Sequence, residues 1–388
     1  MRISERLPIV LVLGFTQTLA WASSYYLPAI LADPIAHNLH VPTSWFFAAF
    51  SAALLVAALL GPRIGRTIDA LGGRSVLSSS NIVLAAGLGL LGVSSSVPVL
   101  CLAWLVLGIG MGLGLYDAAF AALGRIYGVA ARPSITGITL IAGLASTVGW
   151  PLSAWCLSHY GWRETCFAWA AAHLLLGLPL NLFLLPRTKL DTKAGQEPQA
   201  HIPMDRNMWL LATAFALAWM VTGAMAAHFP RLLEAAGATA AQAIAAGTLI
   251  GPAQVIGRLV EATVFRRAHP LVSGRLATLT HPMGAAVVGI LGAAGLPAFL
   301  FAILHGLGNG ILTIARGTVP LAIFGPKNYG YRLGLLGAPA RIAQAIAPLL
   351  FGVLIDRWGA GTLVVSSALS LGALAALAFV RKEREQLE

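Results

Sequence analysis

Two short stretches of this chain are near copies of each other. One runs from Gly61-Pro62 to Gly65-Arg66 and an acid, Asp69. The other runs from Gly251-Pro252 to Gly257-Arg258 and an acid, Glu261. Gly65 and Gly257 stand 192 residues apart, and each copy closes an apolar run long enough to cross a bilayer. Further matches follow in the same order. Leu19-Ala20-Trp21 returns as Leu217-Ala218-Trp219, and Gly108, Gly110 and Gly112 return as Gly306, Gly308 and Gly310, both at a step of 198. Pro151 returns as Pro348 at a step of 197. Any one match is within chance for a chain rich in Ala, Gly and Leu. The shared order and step are not, and they describe one membrane bundle made twice.

Composition agrees. Of 388 residues, 58% are hydrophobic and 10% charged, against about 25% charged in a soluble protein. A helix crosses the hydrocarbon core with roughly 20 apolar residues, and twelve such runs are present. They lie at 7–31, 43–62, 75–95, 97–123, 134–158, 165–185, 208–229, 240–261, 277–296, 298–324, 331–355 and 361–380. The expected fold is all-α and integral to the membrane, with twelve helices in two pseudo-symmetric six-helix bundles. The bundles span residues 1–186 and 207–388. Residues 187–206, with Gln196, Pro198, Gln199 and Pro203 among charged groups, read as a cytoplasmic linker. Arg2 and Arg6 before an apolar run imitate a signal peptide, but the 7–31 run exceeds a typical h-region of roughly 7–15 residues.

The net charge of +11 forms no nucleic-acid-binding stripe, because the cations sit in connectors between apolar runs. With the N-terminus in the cytoplasm, 19 of the 25 Lys and Arg fall on the inner side. Arg163, Arg231 and Arg357 fall outside, and Arg258, Arg316 and Arg341 fall within spans, with Arg332 at the inner start of its span counted as inner. The Arg381, Lys382 and Arg384 tail returns to the inner side only if the helix number is even. This distribution predicts a multi-pass protein of an inner or plasma membrane with both termini cytoplasmic. Cys101, Cys156 and Cys166 lie in or beside apolar runs without CxxC spacing and read as small core residues. No metal cluster, nucleophile triad or cofactor loop is evident, so neither an enzyme nor a cofactor is expected. The glycine series near Gly108 lacks the strand context of a dinucleotide fingerprint.

The stretch Gly65-Arg-Thr-Ile-Asp69-Ala-Leu-Gly72-Gly73-Arg74 resembles the signature of the major facilitator superfamily between helices 2 and 3, usually G-x-x-x-D-R-x-G-R-R/K. Gly65, Asp69, Gly72 and Arg74 match, while Ala70 and Gly73 depart. The resemblance implies a latch that holds the cytoplasmic side shut, built from Gly65, Asp69 and Arg74 and, through the repeat, Arg258 and Glu261. Asp69 can face Arg66, Arg74 or the positive N-terminus of a neighbouring helix; the plain alternative is a solvated loop whose charges set topology. Two departures weaken a drug-exporter reading. Trp104 stands where those relatives often carry an arginine, and Gly149-Trp150-Pro151-Leu152-Ser153-Ala154 replaces G-P-x-x-G-G. The stretch from His228 to Leu233, Gly257-Arg258 and Gly161-Trp162-Arg163 are similar to the monocarboxylate and oxalate–formate branches.

Ionisable groups inside a membrane are costly and usually face a cavity or a partner. Asp117, Arg316 and Arg341 are such groups. Asp117 reads either as half of a gate with Arg316 or as a proton carrier; the plain alternative is a fixed packing salt bridge. Arg341 offers a guanidinium fork for a carboxylate, or it snorkels to the membrane face. A basic residue on this helix serves as an anchor in the oxalate–formate relatives, which the resemblance makes relevant here. Trp21, Tyr25 and Tyr26, on a helix that also carries Gln17, Thr18, Ser23 and Ser24, either line a substrate path or form an aromatic belt. His228 and His305 either relay protons or are structural. Arg341, Tyr25, Tyr26, Arg316 and Trp21 are therefore the candidate substrate residues. Asp117, His305 and His228 are the candidates for proton coupling or gating.

These readings predict a secondary active transporter for a small anionic or weakly acidic solute. It would work as a monomer by alternating access in the lipid bilayer, coupled to protons and without nucleic acid. The second expectation is an efflux pump for a hydrophobic drug or a metalloid such as arsenite. A transporter-like membrane sensor would normally need an added signalling segment or a partner-docking tail, whereas the linker is short and eight residues follow Val380.

Overall fold

The computed structural model describes residues 3–187 and 202–381, with side chains from residue 6 onward. Most of the expected 187–206 linker and the Lys382 and Arg384 tail lie outside the described residues. The described residues form helices and connectors, without a strand. The chain divides into two compact units. The first is Met1–Ala200 with Pro326–Ala338, and the second is His201–Gly325 with Pro339–Glu388.

Among the described residues, nine continuous segments are long and apolar enough to cross a membrane. Two of them, Val97–Tyr160 and Tyr329–Phe379, contain 64 and 51 residues. At about 1.5 Å per residue, each exceeds the roughly 30 Å of hydrocarbon by a factor of two or three. Each also contains two of the apolar runs read from the sequence. Many large apolar side chains stay exposed, among them Leu59, Phe183, Ile290 and Leu349. Water would oppose that exposure at about 25 cal/mol per Å², whereas lipid tails accept it.

The first unit contains α1 (Ile3–Ser23), α2 (Pro28–Asn38), α3 (Thr43–Leu71), α4 (Gly73–Gly92), α5 (Val97–Gly114), α6 (Tyr116–Tyr127), α7 (Arg132–Ala142), α8 (Ala145–Tyr160) and α9 (Trp162–Ala172). Beyond α9 the chain winds as two π-helical segments, His173–Gly177 and Leu180–Leu184. The second unit contains α10 (Arg206–Ala235), α11 (Ala240–Thr248), α12 (Ile250–Thr263), α13 (Pro270–Leu291), α14 (Leu296–Phe324), α15 (Tyr329–Trp358) and α16 (Thr362–Phe379). The first ten residues of α15, Tyr329–Ala338, group with the first unit.

The repeated glycines have repeated jobs. A Cβ on Gly108 would lie 2.5 Å from the Ala53 carbonyl of α3, and one on Gly110 would lie 2.8 Å from Leu84 of α4. In the second unit, a Cβ on Gly306 would lie 2.7 Å from the Ile250 carbonyl of α12, and one on Gly308 would lie 2.6 Å from the Ala277 carbonyl of α13. Alternate glycines thus open two faces of one helix to close neighbours, and both units do it alike.

The expected turn after residue 62 begins later. α3 continues to Leu71, so Gly65 and Asp69 are helical, and the chain turns at Gly72 with φ of 84°. Glycine meets that backbone requirement without a Cβ clash.

Candidate functional site

In the first unit the site grows from a broken helix. The 97–123 run, expected as one helix, stops at Gly114 and restarts at Tyr116. Leu115 between them is extended, with φ −83° and ψ −175°. Glycine lowers helix stability by about 1 kcal/mol relative to Ala, and the run carries Gly108, Gly110, Gly112 and Gly114 in alternation. The break costs the Gly114 carbonyl its usual helical partner, since the Ala118 N–H turns to Leu115 instead at 3.0 Å. The buried Gln17 side chain of α1 donates its Nε2 hydrogen to that carbonyl. In lipid such a repair is needed, because no water reaches a stranded backbone group.

Asp117 is buried in the first turn of α6, where the helix dipole favours a negative charge. Beside it, Tyr116 lies 4.9 Å from Trp21, ring centroid to centroid. Trp21 also meets Tyr25 at 5.2 Å and Tyr26 at 6.0 Å. These two tyrosines occupy the gap between α1 and α2, where Pro28 at the start of α2 brings no N–H. The sequence-derived trio Trp21, Tyr25 and Tyr26 is therefore one cluster, and Tyr116 joins it. Two polar atoms one helical turn apart on α1, Gln17 Oε1 and Trp21 Nε1, are buried with no hydrogen-bond partner among the described residues.

A second feature of the first unit concerns Asp69. Its carboxylate accepts from the backbone N–H of Gly330 at 2.9 Å and of Tyr331 at 2.8 Å, in the first turn of α15. Of the three partners open to Asp69 in the sequence, the helix N-terminus is the one seen. The fit is steric as well. A Cβ on Gly65 would fall onto the Gly330 carbonyl, and one on Gly334 would lie 2.5 Å from the Pro62 nitrogen. Arg66 stacks over the Tyr331 ring at 3.9 Å, and Arg74 reaches the Leu185 carbonyl at 3.5 Å. The other copy has different surroundings. Arg258 and Glu261 are buried in α12, and Gly257 abuts the Leu307 backbone of α14.

In the second unit, Arg316 of α14 is buried with its guanidinium 4.8 Å from the centre of the Trp219 ring. Arg341 is buried in α15. His228 is half-buried, and its Nε2 donates to the Pro348 carbonyl at 2.7 Å. His305 is buried against His281, with Nδ1 to Nδ1 at 3.1 Å. His281 in turn meets Ser366 Oγ at 2.9 Å. The first unit has a related triad, in which His173 Nε2 lies 2.7 Å from Ser23 Oγ and Nδ1 lies 2.8 Å from Asn81 Oδ1. His173 and His281 are not legible in the sequence, because one histidine in an apolar run leaves no periodic mark. Asn81 and Ser366, also in apolar runs, were the available signal.

Residues 12–301 match the family model of the Major Facilitator Superfamily. The chain belongs to the major facilitator superfamily. As a member of that superfamily, it is a multi-pass membrane transporter rather than an enzyme, and it carries small molecules. It is 28% identical over 356 residues to a gentisate transporter of Corynebacterium glutamicum, covering 83% of this chain and 76% of the relative. It is 35% identical over 155 residues to mouse solute carrier family 2, facilitated glucose transporter member 10, covering 37% of this chain and 27% of that protein. Two solved structures share the superfamily fold. The E. coli fucose:proton symporter FucP aligns with a TM-score of 0.72 at 15% identity, over 97% of this chain and 99% of its own. The human organic anion transporter MFSD10 (TETRAN) aligns with a TM-score of 0.70 at 18% identity, over 97% and 100%.

Proposed function

We propose that this superfamily member is a proton-coupled secondary transporter for a small organic anion, with aromatic carboxylates as its first substrate class. The observation that carries the reading is the buried Arg316 held against Trp219. A guanidinium kept inside an apolar bundle is costly, and its planar donors suit a carboxylate. The aromatic cluster of Trp21, Tyr25, Tyr26 and Tyr116 offers ring faces and edges for an aromatic solute. The similarity to a gentisate transporter over most of both chains supports the same class, since gentisate is an aromatic carboxylate.

Within this proposal the membrane is an inner or plasma membrane, both termini are cytoplasmic, and the carrier is a monomer. Its halves are the two six-helix bundles, residues 1–186 and 207–388, working by alternating access. Arg341 and Arg316 anchor the anion, while Asp117 and His305 take part in proton coupling. His228, tied to a backbone carbonyl, is a weaker candidate. Gly65, Asp69 and Arg74 form the latch, with Arg258 and Glu261 as its partners by repeat.

The test is a thermal-shift measurement of the purified carrier at about pH 5.5 and 7.5 with gentisate, benzoate, fucose, arsenite and a lipophilic amine. A ligand at about 100 times its Kd stabilises by about 2.7 kcal/mol. Gentisate or benzoate is expected to raise Tm, and Arg341→Gln is expected to weaken that binding. Losing a charge-assisted hydrogen bond of about 1.5–3 kcal/mol corresponds to a factor of about 10–150 in Kd. Stabilisation by arsenite or the amine alone, untouched by Arg341→Gln, would replace the anion reading with efflux.

A further inference from the structure

His281 and His305 sit where α13 and α14 pack together, and their hydrogen-bond partners limit which tautomers the pair can adopt. Ser366 Oγ donates its one hydrogen to the Leu363 carbonyl at 3.0 Å. With that hydrogen given to the Leu363 carbonyl, the serine oxygen accepts from His281 Nε2, 2.9 Å away, and this arrangement is the one the labelled-histidine measurement below tests. A neutral His281 thus carries its hydrogen on Nε2 and presents a bare lone pair at Nδ1. The contact at 3.1 Å between the two Nδ1 atoms then requires His305 to donate from Nδ1. By elimination, the bare nitrogen of His305 is Nε2. No protein partner for it is found among the described residues, and the His305 ring lines a cavity of about 20 Å³. A cavity of roughly 10–15 Å³ already holds one water. Thr222, Thr280, Asn309 and Ser370 line it too, so a water there has polar partners.

We propose that His281 and His305 form one proton-binding site in the second unit, which takes up a single proton at His305 Nε2 from water in this cavity. Adding the proton at that atom leaves the N–H···N bond and the Ser366 bond intact. Adding it between the two Nδ1 atoms would set two donors face to face. Protonation gives an imidazolium that donates to a neutral imidazole, so the pair holds one added proton and not two.

The surroundings place this charge alone. The neighbouring rings are Phe229 and Phe301. α13, α14 and α16 carry no acidic residue. On α13, Arg275 is turned to the Leu377 carbonyl at 3.0 Å. On α14, Arg316 lies eleven residues from His305, about 16 Å along the helix, and stacks on Trp219. α10 contributes Arg206, His228, Arg231 and Glu234; His228 is bonded to Pro348, and Arg231 is paired with Asp356. α12 contributes Arg258 and Glu261, and α11 has no charged residue. Among the described residues no carboxylate is paired with either histidine, so the added proton raises the positive charge of the arginine-bearing unit. That favours an anion bound at the same time.

The role in transport rests on the proton-coupled reading above, but the site itself is tested without any substrate. Proton uptake by the purified full-length carrier would be counted by titration between about pH 8 and 4 for wild type, H305Q, H281Q and the double variant. The double variant is expected to bind one proton fewer than wild type. A loss of two, or of none, would overturn the proposal. Because either substitution can disturb folding, the wild-type protein with ¹⁵N-labelled histidine supplies a second measurement. A hydrogen-bond coupling between two Nδ1 atoms is expected, with the added proton appearing at Nε2 of the donor ring. Two Nε2–H rings without that coupling would overturn the tautomer assignment.

A third measurement is gentisate uptake into liposomes of E. coli lipid under an imposed pH gradient. Uptake in wild type that ignores the gradient would remove proton coupling while the titrated site stands. Gradient-driven uptake that persists in H305Q would remove the site from coupling.

Discussion

Trp21 and Trp219 occupy matching places in the duplicated sequence, yet each meets a different partner. In the first unit Trp21 lies 4.9 Å from Tyr116, next to Asp117. In the second Trp219 lies under Arg316 at 4.8 Å. The repeat thus conserves a tryptophan that faces the fourth apolar run of its own half, and it changes the charge found there from acid to base. The helices differ in the same sense. The run bearing Asp117 is broken at Leu115, whereas its counterpart α14 is continuous over 29 residues. The two copies share a scaffold and differ in the charge each sets beside its tryptophan. Under the proposed function, that asymmetry would give an anion and a proton different charges to meet in the two halves.

The largest effects are expected at the repeated glycines. Gly108→Leu and Gly306→Leu are each expected to cost about 3 kcal/mol of stability through overpacking, read as a lowered Tm. Unequal losses would mean that the two rows are not equivalent. Next comes the repair of the broken helix. Gln17→Leu leaves the Gly114 carbonyl without its donor and is expected to cost about 1–3 kcal/mol. Thr313→Val, near the matching place on the unbroken α14, should cost much less, and equal losses would contradict the role given to Gln17.

The charged contacts follow. Arg316→Gln is expected to weaken gentisate binding by about 10–150-fold, measured by calorimetry. Tyr116→Phe, on the other side of the comparison, should change it by no more than about tenfold. Trp219→Phe is expected to cost about 0.5–1 kcal/mol of cation–π attraction, a modest affinity change sensitive to Arg316. The smallest effect belongs to Gly251→Ala. With nothing within 4 Å of an added Cβ, it should stay within about 1 kcal/mol of wild type and lean toward stabilisation.

Much of the scaffold was legible because lipid writes simple rules into sequence. Apolar runs marked helices, and equally spaced glycines marked close contacts between helices. The Leu-Ala-Trp repeat pointed to Trp21 and Trp219. What escaped was set by tertiary partners. The break at Leu115 falls inside an unbroken apolar run, and it becomes visible only when Gln17 is seen at the Gly114 carbonyl. Asp69 had three partners open to it, and its actual one lies 261 residues away. His173 and His281 stood in apolar stretches, and their hydrogen-bond chains join helices far apart in sequence. Propensity and hydropathy are local quantities, so they register none of these.

The order in which the chain is made bears on the broken helix. Gln17 leaves the ribosome 97 residues before Gly114. The amide donor is therefore already in the membrane when the interrupted segment arrives, and the exposed carbonyl can be met on entry rather than stranded in oil. A circularly permuted chain that delivers α1 last would reverse this sequence of events. Its nascent bundle would dwell with a bare peptide oxygen, open to membrane quality-control proteases, so a lower yield of the same folded carrier is expected.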